Sequence, residues 1–370
     1  MDPHGPIAKR FPLVARFRPA CLPLPDRVRA LADLASRAAE QSDQGLASTV
    51  FNQAALLASD VGLPDLARSM CHRHAKAYLT AGPLPAMSAI RGLEPLINLA
   101  RLQIRAGHPD EARQRLLDLY EAVGTGSPAT FEGITVPADL TRTDEDRREV
   151  HAWLWRVLLA DGTRTLTTTG RWQEALAHIE HHHGIGTRML DGRQVAVVAS
   201  LTEGDTDRAA ELLTSTAPGE PWEQLVTACL TALYRRDAEQ DLDNHLSDLE
   251  NMYLAQEVEP GLTVFDIRLG LTALDAVAST GHSAARRLVE DIARRTADAR
   301  DGYAAREFIT HPLATMLATP RQIQECRELI GSCALGSGAL PGGLIDLSAA
   351  VDTVGEVLSQ AIFEQPGPVI

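Results

Sequence analysis

An all-α fold of stacked antiparallel helix pairs is what this 370-residue sequence predicts. Three observations carry that prediction. Apolar residues recur at three- and four-residue steps through most of the chain, the period that gives a helix one buried face. Aromatic residues make up only 4% of the chain, and the β-branched run that a strand needs is nearly confined to Val195-Ala-Val-Val198. A glycine is followed five residues later by an alanine at Gly62/Ala67, Gly107/Ala112, Gly170/Ala175 and Gly204/Ala209. Glycine ends one helix, and the small alanine lets the next pack close against it. Such a pair cannot bury both of its faces alone, so the repeated mark predicts stacking into an α-solenoid.

Residues 1–25 carry Pro3, Pro6, Pro12, Pro19, Pro23 and Pro25 and read as an extended or disordered arm, because proline at this density blocks helix and ladder hydrogen bonds. Asp26 can cap the next helix, whose apolar set over Arg27 to Ser42 is Val28, Leu31, Leu34, Ala35 and Ala38. The unit Ala47 to Leu79 places Phe51, Ala54, Ala55 and Ala58 on a first helix, Gly62 at its stop, and Asp65 and Ala67 on a second. Pro83, Pro85 and Pro95 are expected to break up the stretch before the next pair. That pair is the clearest in the chain. Leu96, Leu99 and Leu102 face inward on a helix ending at Gly107; Asp110 and Glu111 then meet the positive end of the following helix, where Ala112, Leu116 and Leu119 form the inner stripe. An insert at 124–143, with Phe131, Glu132, Ile134 and Asp139, reads as a binding lid or as disorder. Trp153 and Trp155 follow on a helix, two residues apart and so on different faces.

Gly170 and Gly204 lie 34 residues apart, the period of an uninterrupted helix-turn-helix repeat. Beyond them the pattern loosens. Pro221-Trp222 opens a helix through Tyr234, Arg236-Asp237 falls where a turn is expected, and Gly281 precedes Ala284 and Ala285. Further helices are expected at Glu307 to Leu317, Arg321 to Cys333 and Leu344 to Phe363. The last, with Leu344, Leu347, Val351, Val354, Leu358 and Ile362, is apolar enough to cap the array or to form a homodimer with another copy. The expected organisation is an arm at 1–25, a helical array at 26–300 and capping helices at 301–370.

A net charge of -14 sets a field that repels nucleic acid and anionic membranes, so neither is expected as a direct partner. All 35 basic residues except Lys9 and Lys76 are arginine, first of all the mark of a GC-rich genome. Cys21, Cys71, Cys229, Cys326 and Cys333 are odd in number, widely spaced and without a C-x-x-C pair, which speaks against a disulfide scaffold or structural zinc and for a reducing cytoplasm. No apolar run has the length of a signal sequence or a membrane span. With no G-x-S-x-G, phosphate loop or H-E-x-x-H, no catalytic residue is assigned and no cofactor is expected. Glu174, His178 and either His181 or His182 share one helical face at a spacing that suits a metal, the basis of a third reading as a metal-dependent enzyme. The plainer account is that these histidines, with His183, sit in a last helical turn where imidazolium meets the negative end of the dipole.

In its repeated units the chain resembles the tetratricopeptide-repeat (TPR) family. That unit has a small residue seven positions before the turn glycine, matched by Ala55 and Ala100, and an alanine five positions after it, matched four times. Thr163 and Val197 depart from the small position, and the family's closing proline is mostly missing, so the likeness covers roughly residues 45 to 300 unevenly. The resemblance implies a TPR-like right-handed superhelix whose first helices line a concave groove. Carried over, groove positions fall at Asn52, Leu56, Ser59 and Asp60; at Ile97, Arg101, Ile104 and Arg105; at Arg164, Thr167 and Thr168; and at Gln194, Val198 and Leu201. Arg101, Arg105 and Arg164 then form a clamp for carboxylates, with Ile97, Ile104 and Val198 as apolar floor and Asn52 and Gln194 as polar contacts. The plainer account leaves these arginines solvated. The function implied is a non-catalytic scaffold that binds a peptide or protein partner in its groove; the alternative is a ligand- or peptide-responsive regulatory sensor acting through a partner protein.

Overall fold

The computed structural model describes residues 1–340 and 343–363, with the side chains of Leu344 and of residues 361–363 outside that description. In chain order the helices are α1 (Leu24–Gln41), α2 (Gln44–Asp60), α3 (Pro64–Leu79), α4 (Ala86–Arg105), α5 (Pro109–Thr125), α6 (Asp144–Val157), α7 (Thr163–Thr167), α8 (Trp172–His181), α9 (Asp191–Glu203) and α10 (Thr206–Thr214). They continue with α11 (Pro221–Asp237), α12 (Asp243–Ala255), α13 (Thr263–Val277), α14 (Ser283–Ala299), α15 (Gly302–Thr310), α16 (Pro312–Leu317), α17 (Pro320–Ser332) and α18 (Leu344–Phe363). A wide turn of the π type, Leu158–Gly162, joins α6 to α7. The fold is all-α. Two short strands, β1 (Ala129–Phe131) and β2 (Ile134–Val136), form an antiparallel hairpin inside the insert.

Two compact units divide the chain: Met1–Pro23 with Leu166–Cys333, and Leu24–Thr165 with the chain from Ala334 onward. In the second of these, α1 to α6 pack in chain order, and α2 also meets α4 as α4 meets α6. Contact with the next helix and the next but one is what stacked helix pairs produce. Gly62 and Gly107 turn the chain at φ of 85° and 86°, which a side chain disfavours, and Ala67 and Ala112 behind them are completely buried. Pro95 does not interrupt anything. It lies buried inside α4, which runs through it unbroken. The insert is likewise ordered: β1 packs on α5 and β2 on α3, with Phe131, Ile134, Val136 and Leu140 in the core. At the hairpin tip Glu132 lies 3.2 Å from Arg115, 3.6 Å from Arg68 and 3.8 Å from His72, and accepts a 2.6 Å bond from Gln103.

Helix α18 belongs to the same unit. It packs on α1, α2 and α3 and buries Leu347, Val351, Val354 and Leu358 there. The apolar stripe expected to cap the end of the array or to pair with a second copy is therefore consumed within its own unit. Of that stripe, the Leu344 and Ile362 side chains lie outside the described residues, as do residues 364–370 of the expected capping segment.

The other unit continues the stacking. Helices α9, α11, α13 and α15 contact one another in succession, α10 packs on α9 and α11, α12 packs on α11 and α13, and α14 packs on α13 and α15. The turn expected at Arg236-Asp237 lies slightly later, because α11 runs through Asp237. The helix expected over Glu307 to Leu317 is two helices, broken at His311 because Pro312 lacks the N–H that would continue α15; His311 instead caps α16 by accepting from Ala314 N–H. Helices α15 to α17 thus extend the array rather than standing apart from it. No helix among the described residues is long and apolar enough to cross a membrane.

Candidate peptide-binding face

The site residues inferred from the sequence fall on both units. In the unit Leu24–Thr165, the groove-side polar residues of α2 and α4 form a ladder. Asn52 donates to Glu94 (2.9 Å) and accepts from Asn98 (3.0 Å), and Asn98 accepts from Arg101 (3.1 Å). Arg101 then forks onto Asp161 in the wide turn, Nε to Oδ1 at 2.9 Å and Nη2 to Oδ2 at 2.8 Å. Burial works against the Arg101 charge, yet Asp161 and Glu94 hold its pKa above the ordinary value, while burial pushes the Glu94 carboxyl up. Arg105 bonds Ser59 and reaches 4.0 Å from Asp60, which also accepts from Arg27 at 2.8 Å. Arg101 and Arg105 thus already hold acceptors of this chain, and Arg164 is exposed on α7 and engaged by its surroundings. Ile97 is in the core and Ile104 is packed against it, so neither is an open floor.

Gln194 and Val198 sit on α9 in the other unit. Val198 is fully buried, which removes it from any open wall. Gln194 is also fully buried, for a different reason: it grips the N-terminal arm. Its Oε1 accepts from Leu13 N–H at 2.6 Å, and its Nε2 donates to Leu13 C=O at 2.7 Å and to Met189 C=O at 3.0 Å. One side-chain amide thereby satisfies both backbone groups of one residue, as a neighbouring strand would.

The arm is ordered, contrary to the disordered option read from its prolines. After a short turn at Ala8–Arg10 it runs extended and contributes Phe11, Leu13 and Cys21 to the core. Its attachments include α9, where the resemblance placed groove positions, and extend to α13 and α15, where it placed none. Beyond Gln194 on α9, Arg10 pairs with Asp275 on α13, Asp275 also meets His311 at 3.1 Å, and Arg236 of α11 donates to the Asp275 carbonyl at 2.8 Å. Burial alone raises the pKa of Asp275; His311 and Arg10 reverse that and hold the carboxyl below the ordinary range. Arg18 donates its N–H to Gly261 C=O at 2.9 Å and lays its guanidinium 3.6 Å over the Tyr303 ring of α15. Cys21 C=O accepts from Gly302 N–H (2.8 Å) and from the Cys333 thiol (2.9 Å). Near the start, Trp172 donates to Pro3 C=O at 3.1 Å, and a Cβ on Gly170 would come within 3.0 Å of that same carbonyl.

Many of these holds fall on arm backbone at Pro3, Leu13, Arg18 and Cys21, which proline-rich sequence leaves free of internal hydrogen bonds. Sequence reasoning missed Asp275 and Trp172 as parts of this face. Asp275 did leave a signal, a lone carboxylate in the apolar run Leu271 to Val277, where burial demands a partner.

The remaining chemical candidates are engaged elsewhere. Glu174 is forked by Arg171 (2.7 and 2.5 Å), while His178, His182 and His181 contact ring to ring in edge-on pairs at 4.7 and 4.9 Å instead of converging on a point. No group of three metal-capable side chains is assembled among the described residues. All five cysteines are buried and outside any disulfide, and burial pushes Cys71 up to about 12 and Cys326 to about 11, far from a reactive thiolate. Comparison with protein-family models, curated proteins and solved structures finds no match for this chain.

Proposed function

We propose that the protein is a non-catalytic helical-repeat scaffold of the TPR kind, and that the face made by α9, α11, α13 and α15 is a seat for an extended polypeptide. The observation that carries this reading is the Gln194 fork on Leu13. It reads a peptide backbone and is indifferent to the side chain, so a segment from a partner can satisfy it as the arm does. Selectivity comes from what surrounds it: buried apolar sites for the side chains of Phe11 and Leu13, and the Asp275 carboxylate for a cation three residues upstream of the gripped position. The arm is then the resident occupant, present at an effective concentration of about millimolar because it is tethered. That tether favours the regulatory variant of the reading, in which a partner binds by displacing the arm. Arg101 and Arg105 carry less of the proposal, since a partner carboxylate must compete with Asp161, Ser59 and Asp60.

A fluorescent peptide with the sequence of residues 8–22 tests the seat. It is titrated against the wild-type full chain and against the full chain carrying Phe11→Asp and Leu13→Asp, with circular dichroism to confirm that the variant stays helical. At least tenfold tighter binding to the variant is expected, because the resident arm no longer competes. A helical variant that binds the peptide no better than wild type refutes the seat.

A further inference from the structure

Beside the arm lies a cavity of about 730 Å³ within the unit Met1–Pro23 with Leu166–Cys333. Its volume is in the range of sites that enclose a small organic molecule. The walls come from the start of α11, the end of α12, the loop after it and the start of α13, with Ala15 of the arm as one edge. The lining is of two kinds. Trp222 and Phe265 meet edge to face, ring centres 5.6 Å apart at 88°, and Met252 and Val258 beside them stay 37% and 38% exposed, more than apolar side chains with a settled partner. The lining also includes three acidic residues, Glu220, Glu257 and Glu259.

No lysine, arginine or histidine lines this cavity. Other carboxylates of the same unit have found cations: Asp266 at the cavity's inner end meets Arg295 at 3.0 Å, Glu223 meets Arg188, Glu250 meets Arg287 and Asp275 meets Arg10. Glu257 and Glu259 are exposed and take part in no ion pair among the described residues. An aromatic wall with an electron-rich face beside uncompensated carboxylates selects positive charge on an apolar frame.

We propose that this cavity binds a small organic cation, an ammonium or guanidinium group carried on an alkyl or aryl body. The apolar body lies against Trp222, Met252 and Phe265, and the cation faces Glu257 and Glu259. A neutral ligand of the same shape loses the charge contacts, and an anionic one is repelled by the same carboxylates.

The test uses the intact chain and three probes of like size: phenethylammonium, 2-phenylethanol and 3-phenylpropionate. Isothermal titration and ligand-observed NMR should give saturable one-to-one binding of phenethylammonium with a Kd of about 1 mM or tighter, the reach of a fragment of this size. The alcohol should bind about fivefold or more weakly and the carboxylate not at all. Glu257→Gln with Glu259→Gln, two exposed positions outside the core, should weaken the ammonium about fivefold or more while leaving the alcohol unchanged, and raised salt should act in the same direction. Equal binding of all three probes, an unaffected double glutamine variant, or no binding of the ammonium each overturns the proposal.

Discussion

Replacing Gln194 by leucine conserves most of the volume and removes the grip on the arm. Three hydrogen bonds are lost: Leu13 N–H loses its acceptor, and the carbonyls of Leu13 and Met189 lose a donor, all in a site where Gln194 is fully buried. A buried hydrogen bond contributes about 1 kcal/mol net, so the whole substitution costs about 3 kcal/mol. Two of the three bonds hold the arm, so about 2 kcal/mol falls on its local detachment, and the open population rises roughly thirtyfold. Hydrogen exchange of the peptide spanning residues 10–20 reads this directly. Tryptic cleavage after Arg16 provides a second readout, since Arg16 is exposed and the backbone N–H of Arg18, two residues on, is held only while the arm is seated. Exchange in α9 and α13 should change much less than in the arm. If the arm's exchange and cleavage stay at wild-type rates while the melting temperature falls, Gln194 serves the core alone and the reasoning about the seat fails.

Other consequences lie in the unit Leu24–Thr165. His74 is buried between Phe51 and Tyr78, both ring nitrogens lack a hydrogen bond, and burial holds its pKa down to about 3. Unfolding lets it return to about 6.5, so protons are taken up on unfolding; its contribution is complete above pH 6.5 and erodes as pH falls toward the folded value, by about 2 kcal/mol at pH 5. His74→Phe should flatten that acid limb in denaturant melts from pH 7 to 4.5, and an unchanged limb assigns the loss to other groups. Arg101→Met leaves Asp161 buried without its fork and should cost about 3 kcal/mol, and adding Asp161→Asn should recover part of it; equal stability of the single and double variants counts against the pair. Gly107→Ala should cost about 1 kcal/mol through its φ of 86° alone, since no atom stands within 4 Å of the added carbon; a neutral result in thermal melts shows that the turn relaxes.

Local chemistry was the legible part of this fold. Four turn glycines and the alanines behind them announced helix stops and close packing, and in the structure all four glycines have left-handed φ and all four alanines are fully buried. Proline was over-read. Its missing N–H costs nothing at a helix start, where α3, α5, α11, α16 and α17 carry proline, and it excludes a helix middle only when packing does not compensate; Pro95 sits among buried neighbours in α4. What pattern could not reveal was long-range pairing. Nothing around Leu13 names Gln194, nothing around Arg101 names Asp161, and α18 gives no local hint that α1, α2 and α3 are its neighbours. Gln194 was found as a position on a face, and what lay against that face was absent from the reading because it came from the same chain.

The hold of Gln194 on Leu13 spans 181 residues, and that of Cys333 on Cys21 spans 312. Translation makes these separations into waiting times. At about 5–20 residues per second, Leu13 leaves the ribosome some 10–40 s before Gln194 exists to receive it. During that interval Phe11 and Leu13 are apolar side chains on a naked extended strand, while helix pairs behind them can already close. Assembly of this unit is therefore ordered by synthesis: the arm is seated only after α9 has followed it from the ribosome. A nascent chain of this protein offers its arm to chaperones and proteases until α9 arrives to cover it.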